Sequence, residues 1–253
     1  MNEAARGGPG VVATTFATLV CLVILVGLGV WQLQRKVWKE NLIAAMTTRL
    51  NVTPQPLPLA AQWSALTPDA DEFRRVGFTA EFAPGQEALV YTPGSALRTD
   101  VKGPGYFVFA PAKLADGRIV AVDRGFVPLS RKDKATRAQG EPQGPVTVVG
   151  VLRWPESRGM FTPADDVKGN VWYLRDPAAM AAVLHWGNVA PFYVDQESPV
   201  PPGGLPAPGK LVVNLPDNHL QYAITWFGLG AALIGVYGYW LFGRFRKRPE
   251  RSL

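Results

Sequence analysis

The sequence predicts an α+β membrane protein: two transmembrane helices flanking an antiparallel β-rich extracytoplasmic domain, a small barrel or sandwich with one short helix. Three observations predict it. Two runs without a charged residue stand at 7–34 and 220–243, each long enough for one crossing at about 20 residues per span. The charge is unevenly placed. Outside residues 40–215 lie nine Lys/Arg and three acids, which is the whole formal +6, while inside them 17 basic residues meet 17 acidic ones. The excess is therefore membrane-flanking charge and not a nucleic-acid surface. Between the runs, short apolar segments punctuated by Gly and Pro read as strands.

The elements follow in order. Residues 1–10 form a short Gly-rich tail, and 11–34 a first transmembrane helix, dense in Val, Leu and Ile. This run is too long for a signal-peptide core and lacks both a strongly basic start and an Ala-x-Ala site, so a retained span is expected. Trp31-Gln-Leu-Gln-Arg-Lys36 is an aromatic and basic collar of the headgroup level. The helix is expected to continue to Leu50, until Pro54, Pro56 and Pro58 stop it.

Strands are expected at 74–82, 88–91, 105–110, 119–127, 145–154 and 190–195, with Asp116-Gly117 as a hairpin turn. Residues 131–143 read as a polar, mobile loop, and 177–185 as a short helix opened by Pro177. Residues 198–209, with five prolines and three glycines, read as a semi-extended return linker closing a 35–217 domain. A second span follows at 218–243 and a basic tail at 244–253.

Two spans place both termini on one side. The cluster Arg244-Phe-Arg-Lys-Arg248 assigns that side to the cytoplasm and the domain to the periplasm, against the weaker opposing charge of Arg35, Lys36 and Lys39. An amino end poor in Arg and Ser favours a bacterial inner membrane over an organelle.

Little supports an enzyme. The lone Cys21 excludes an intrachain disulfide and a CxxCH haem attachment. No GxSxG, HExxH, P-loop or GxGxxG pattern occurs. His185 reads as a packed or surface histidine, Asp165-Asp166 has no neighbouring His or Cys, and Arg124 reads as an ion pair or loop anchor.

Asn218-His-Leu-Gln-Tyr-Ala-Ile-Thr-Trp-Phe227 is more informative. On a helix, His219, Tyr222, Ala223 and Trp226 share one face by the i, i+3, i+4, i+7 rule. An imidazole, a phenol and an indole at the membrane surface suit a flat hydrophobic ligand such as haem, with His219 on the iron. Trp31, Gln32 and Arg35 stand at the same depth at the end of the first span, and Arg35 could meet a propionate. An interfacial belt of structural residues fits the same pattern, and composition leaves both readings open.

Four motifs in order resemble the Surfeit locus protein 1 family of cytochrome c oxidase assembly factors, in its bacterial form. Leu28-Gly-Val-Trp-Gln-Leu-Gln-Arg35 with Trp38-Lys-Glu-Asn-Leu-Ile43 is similar to the family's first-span exit. Asp123-Arg-Gly-Phe-Val-Pro128 resembles its Asn-Arg-Gly-Trp-Val-Pro strand, with Asp and Phe as departures. Asn170-Val-Trp-Tyr-Leu-Arg-Asp176, followed by Met180-Ala181, resembles its middle motif, and the stretch 218–227 its second-span entry.

The resemblance implies a non-enzymatic role in maturing a haem-copper oxidase, binding haem a and handing it to subunit I. It places the family's histidine, tyrosine and tryptophan on His219, Tyr222 and Trp226. Subunit I, membrane lipid and haem a synthase are the implied partners, with no nucleic acid. A cofactor-free scaffold that stabilises newly inserted subunit I is the alternative.

Overall fold

A computed structural model describes residues 10–213 and 217–246, apart from the side chain of Phe245. Residues 1–9 of the expected amino-terminal tail, 214–216 of the expected domain and 247–253 of the expected basic tail lie outside the described residues. The chain divides into two compact units, with boundaries between residues 43 and 44 and between 214 and 215.

The first unit pairs two helices. α1, Val11–Asn51, is unbroken over 41 residues, and its last turns belong to the second unit. α4, His219–Arg246, spans 28. Both carry a stretch long and apolar enough to cross a membrane. They approach closely at Gly29, where a Cβ would lie 2.6 Å from Phe227 Cε1. Glycine is needed there because the Phe227 ring occupies that space.

The second unit is a closed barrel with additions. β1 is Gln55–Pro56, α2 Pro68–Asp71, β2 Arg75–Phe82, β3 Ala88–Thr92, β4 Gly105–Leu114 and β5 Ile119–Pro128. β6 is Pro145–Arg153, β7 Val171–Trp172, α3 Pro177–Leu184 and β8 Val189–Ser198. The ring runs β2–β6–β8–β5–β4 and closes by β4 pairing with β2. β2 and β3 line one edge of β4 in succession, interrupted at Pro84-Gly85. β2, β4 and β5 follow one another around the ring and β6 returns beside β2, which is a Greek key.

The expectation of an antiparallel domain needs correction at three strand pairs, one of them in the ring. β5 and β8 run parallel, as do the short flanking pairs β1–β2 and β3–β7. The ring has five strands. Each antiparallel step reverses direction, so a closed ring of odd number cannot be antiparallel throughout.

Strand alternation builds two cores, one on each side of the wall. Val120, Val122, Phe192, Val194, Ala110 and Ala112 point inward, where alanines leave room for Phe192 and Leu152. Trp63 plugs one end, its ring edge-on to Phe192 at 5.4 Å. The alternate residues Ala121, Tyr193, Phe107 and Phe109 face outward under Met180 and Ala181 of α3. A third cluster joins Met46 and Leu50 of α1 to Phe73, Val151 and Leu211.

Two segments expected to be loose are held. The Pro-rich segment 198–209 is a strap docked on the barrel: Phe126 and Ala207 exchange backbone hydrogen bonds of 2.9 and 2.8 Å, and Gly209 N donates to Gln196 O at 3.1 Å. Gly125 permits this, since a Cβ there would lie 2.1 Å from Ala207 O and its φ is +121°. The loop expected at 131–143 is 3-10 helical over Lys134–Gly140, and Arg137, buried within it, grips the Glu87 carboxylate with both terminal guanidinium nitrogens.

Candidate functional site

α4 begins at His219, whose backbone N–H donates to Asp217 Oδ1 at 2.9 Å in the manner of a cap. The imidazole is fixed as well. Its Nδ1 lies 2.7 Å from Gln32 Oε1 of α1. An amide oxygen can only accept, so Nδ1 is the donor, and in the neutral imidazole Nε2 then presents its lone pair. Among the described residues Nε2 has no hydrogen-bond partner. An imidazole held at one nitrogen by an oxygen acceptor, with the other free, is how metal-ligating histidines are oriented.

Among the described residues, the other expected ones form no hydrogen bond to this pair's side chains. Tyr222 and Trp31 are exposed, Trp226 is half-buried, and Ala223 packs inward at 1% exposure, so its side chain belongs to the helix contact. The Arg35 guanidinium stacks 3.8 Å over the Trp38 ring, an i, i+3 contact that covers its face and leaves its N–H edge available. The structure thus joins Gln32 to His219 and turns Arg35 towards Trp38.

The sequence pattern of the SURF1 family matches residues 19–231. The chain belongs to the SURF1 family. A Surfeit locus protein 1 from Takifugu rubripes is 35% identical over 88% of this chain and 92% of its own length. The human Surfeit locus protein 1 is 34% identical, covering 81% of this chain and 70% of its own, and a SURF1-like protein from Monosiga brevicollis is 34% identical over 94% and 89%.

The other motifs that carried the SURF1 resemblance have structural work. Asn170, at φ +51°, donates to Glu87 O at 2.8 Å and accepts from Trp172 Nε1 at 3.1 Å, tying β7 beside β3. Asp176 caps α3 through Ala179 N, and Met180 and Ala181 are core. Arg124 donates to Gly140 O and lies 5.3 Å from the Phe82 ring centroid, the loop anchor expected of it. His185 ends α3 in a left-handed conformation on the surface.

Sequence reasoning missed a polar cluster. Asp123 and Asp195 are register partners on β5 and β8, beside a pocket of about 230 Å³ lined also by Arg98, Arg153, Arg175 and Glu156. Each arginine is paired: Arg98 with Asp100 at 2.6 Å, Arg153 with Glu72 and Asp195 at 3.1 and 3.2 Å, and Arg175 with Glu156 at 2.8 Å. Burial, and then the Asp195 charge, push the Asp123 carboxyl up to about 8. The signal was present in the sequence: Asp123 and Asp195 each end an unbroken run of apolar residues. Only the register brings them together.

Proposed function

We propose that this SURF1-family protein is a two-span factor of the bacterial inner membrane that assembles a haem-copper oxidase, binding haem a at the outer face and delivering it to subunit I. Both termini are cytoplasmic and the barrel periplasmic, as the basic carboxy-terminal tail favours. The observation that carries the reading is the Gln32–His219 hydrogen bond, which in the neutral imidazole would direct the Nε2 lone pair to iron.

The residues present fit the group. His219 would ligate the iron, Tyr222, Trp31 and Trp226 would offer flat rings from the same two helices, and the Arg35 edge would suit a propionate. Haem a is cargo here, and its iron chemistry belongs to the oxidase that receives it. One protein-supplied ligand and an exposed second face suit retention followed by release. Haem a synthase is the natural donor. The family and the absence of a nucleophile–base pattern in the sequence support a non-enzymatic role.

The test is the absorption spectrum of the full chain purified after co-expression with the haem a biosynthetic enzymes, wild type beside His219→Ala. A haem a spectrum in the wild type that is lost or strongly weakened in the variant is the expected result. Oxidase assembly that depends on the protein, with haem in neither sample, would replace this reading by that of a cofactor-free scaffold for subunit I.

A further inference from the structure

Between α1 and α4 lies an apolar bay of about 510 Å³, lined by Cys21, Ile24, Leu25, Leu229, Leu233 and Val236, with the small side chain of Ala232 at its wall. The helices are pinned on either side of it along their length. Towards one end Phe227 covers Gly29, and towards the other the hydroxyls of Thr15 and Tyr237 are hydrogen-bonded. The bay is therefore a fixed recess between two contacts.

Its stripes lead to the site already described. On α4, Tyr222, Leu229, Leu233 and Val236 stand at i, i+7, i+11 and i+14, one face of a helix. On α1, Gln32, Leu25 and Cys21 stand at i, i−7 and i−11, again one face. Leu229 lies about 15 Å along the axis from His219, at about 1.5 Å per residue, and Leu25 about 10 Å from Gln32. A ring beside Tyr222 with its iron at His219 would thus share these helix faces with the bay, which begins beyond the Phe227–Gly29 contact.

We infer that this bay receives the long isoprenoid chain of a prenylated haem, so that the site distinguishes haems by their tail. The inference rests on the haem reading above. A haem without that chain, haem b, leaves the bay to lipid. The preference is modest because lipid is as apolar as the bay, so transfer contributes nothing and only packing and fixed geometry remain. A ratio of about tenfold is expected, the size of effect that good packing of one chain supplies.

The experiment titrates the full chain in nanodiscs with haem b and with haem o, which differ at the isoprenoid-bearing substituent. Wild type is expected to bind haem o about tenfold more tightly. Ala232→Phe, which fills the bay, is expected to bring that ratio to about one through loss of haem o affinity alone. Ile224→Phe, at an exposed position outside the bay, is expected to keep the ratio. Equal affinities in the wild type, or an Ala232→Phe variant that weakens both haems equally, would overturn the tail assignment while leaving His219 as a ligand. Failure of both haems to bind would overturn the haem reading and this inference together.

Discussion

Asp123 and Asp195 are register partners across the parallel β5–β8 pair, and Asp195 Oδ1 is buried with no hydrogen-bond partner among the described residues. Buried acceptors of this kind are nearly always satisfied. Burial and the Asp195 charge push the Asp123 carboxyl up to about 8, so at neutral pH it carries its proton beside that carboxylate. That proton reconciles this chain with the Asn of the motif it resembles, because a protonated acid and an amide both donate from the same place.

The first prediction is a stability that falls with alkali. Asp123 binds its proton more tightly folded, at about 8, than unfolded, near the ordinary 3.8. Its contribution is therefore complete below pH 4 and is lost as pH rises towards 8, with an upper bound on the order of 6 kcal/mol. Denaturant unfolding of the full chain, followed by tryptophan fluorescence from pH 5 to 9, should show this slope, and Asp123→Asn should flatten it. A slope unchanged in Asp123→Asn would assign the proton elsewhere.

A second prediction concerns Gln32. Gln32→Leu removes the oxygen that orients His219 while leaving the ligand atom in place, so haem binding should weaken about 10–100-fold and not vanish. Gln32→Glu, which keeps the acceptor, should bind within a few-fold of wild type. Titration at the Soret band reads both, and a Gln32→Leu variant with wild-type affinity would make the hydrogen bond incidental.

Gly125 carries a third. Gly125→Ala places a methyl group against Ala207 O at a φ of +121°, so the strap must lift from the barrel. The expected cost is about 2–4 kcal/mol. Gly117→Ala, at a φ of +84° with no atom within 4 Å of the new methyl, should cost only about 1 kcal/mol of backbone strain. Thermal unfolding compares them, and equal losses would mean that the strap contributes little.

What the sequence made legible were features whose cause is local. The two apolar runs, the stop at Pro54 and the Val-rich strands could be read because their periodicity is carried in neighbouring residues. β1 and β7 could not, since two residues have no period and pair only because β2 and β3 are already placed. The strap was taken for a linker because the same prolines and glycines serve both; docking depends on Gly125, far away in the chain. At the site, depth suggested Gln32, but its bond to a histidine 187 residues away required the helix pair. Arg35 was visible, while its stack on Trp38 depended on side-chain direction.

The closed ring has a last consequence for how this domain can meet another protein. All five ring strands are flanked on both sides, and the outlying β1 and β7 are two residues each. Among the described residues of the ring no strand edge is left wholly unpaired, so adding a strand to the sheet is not an open route to a partner. Recognition must instead read side chains and turns.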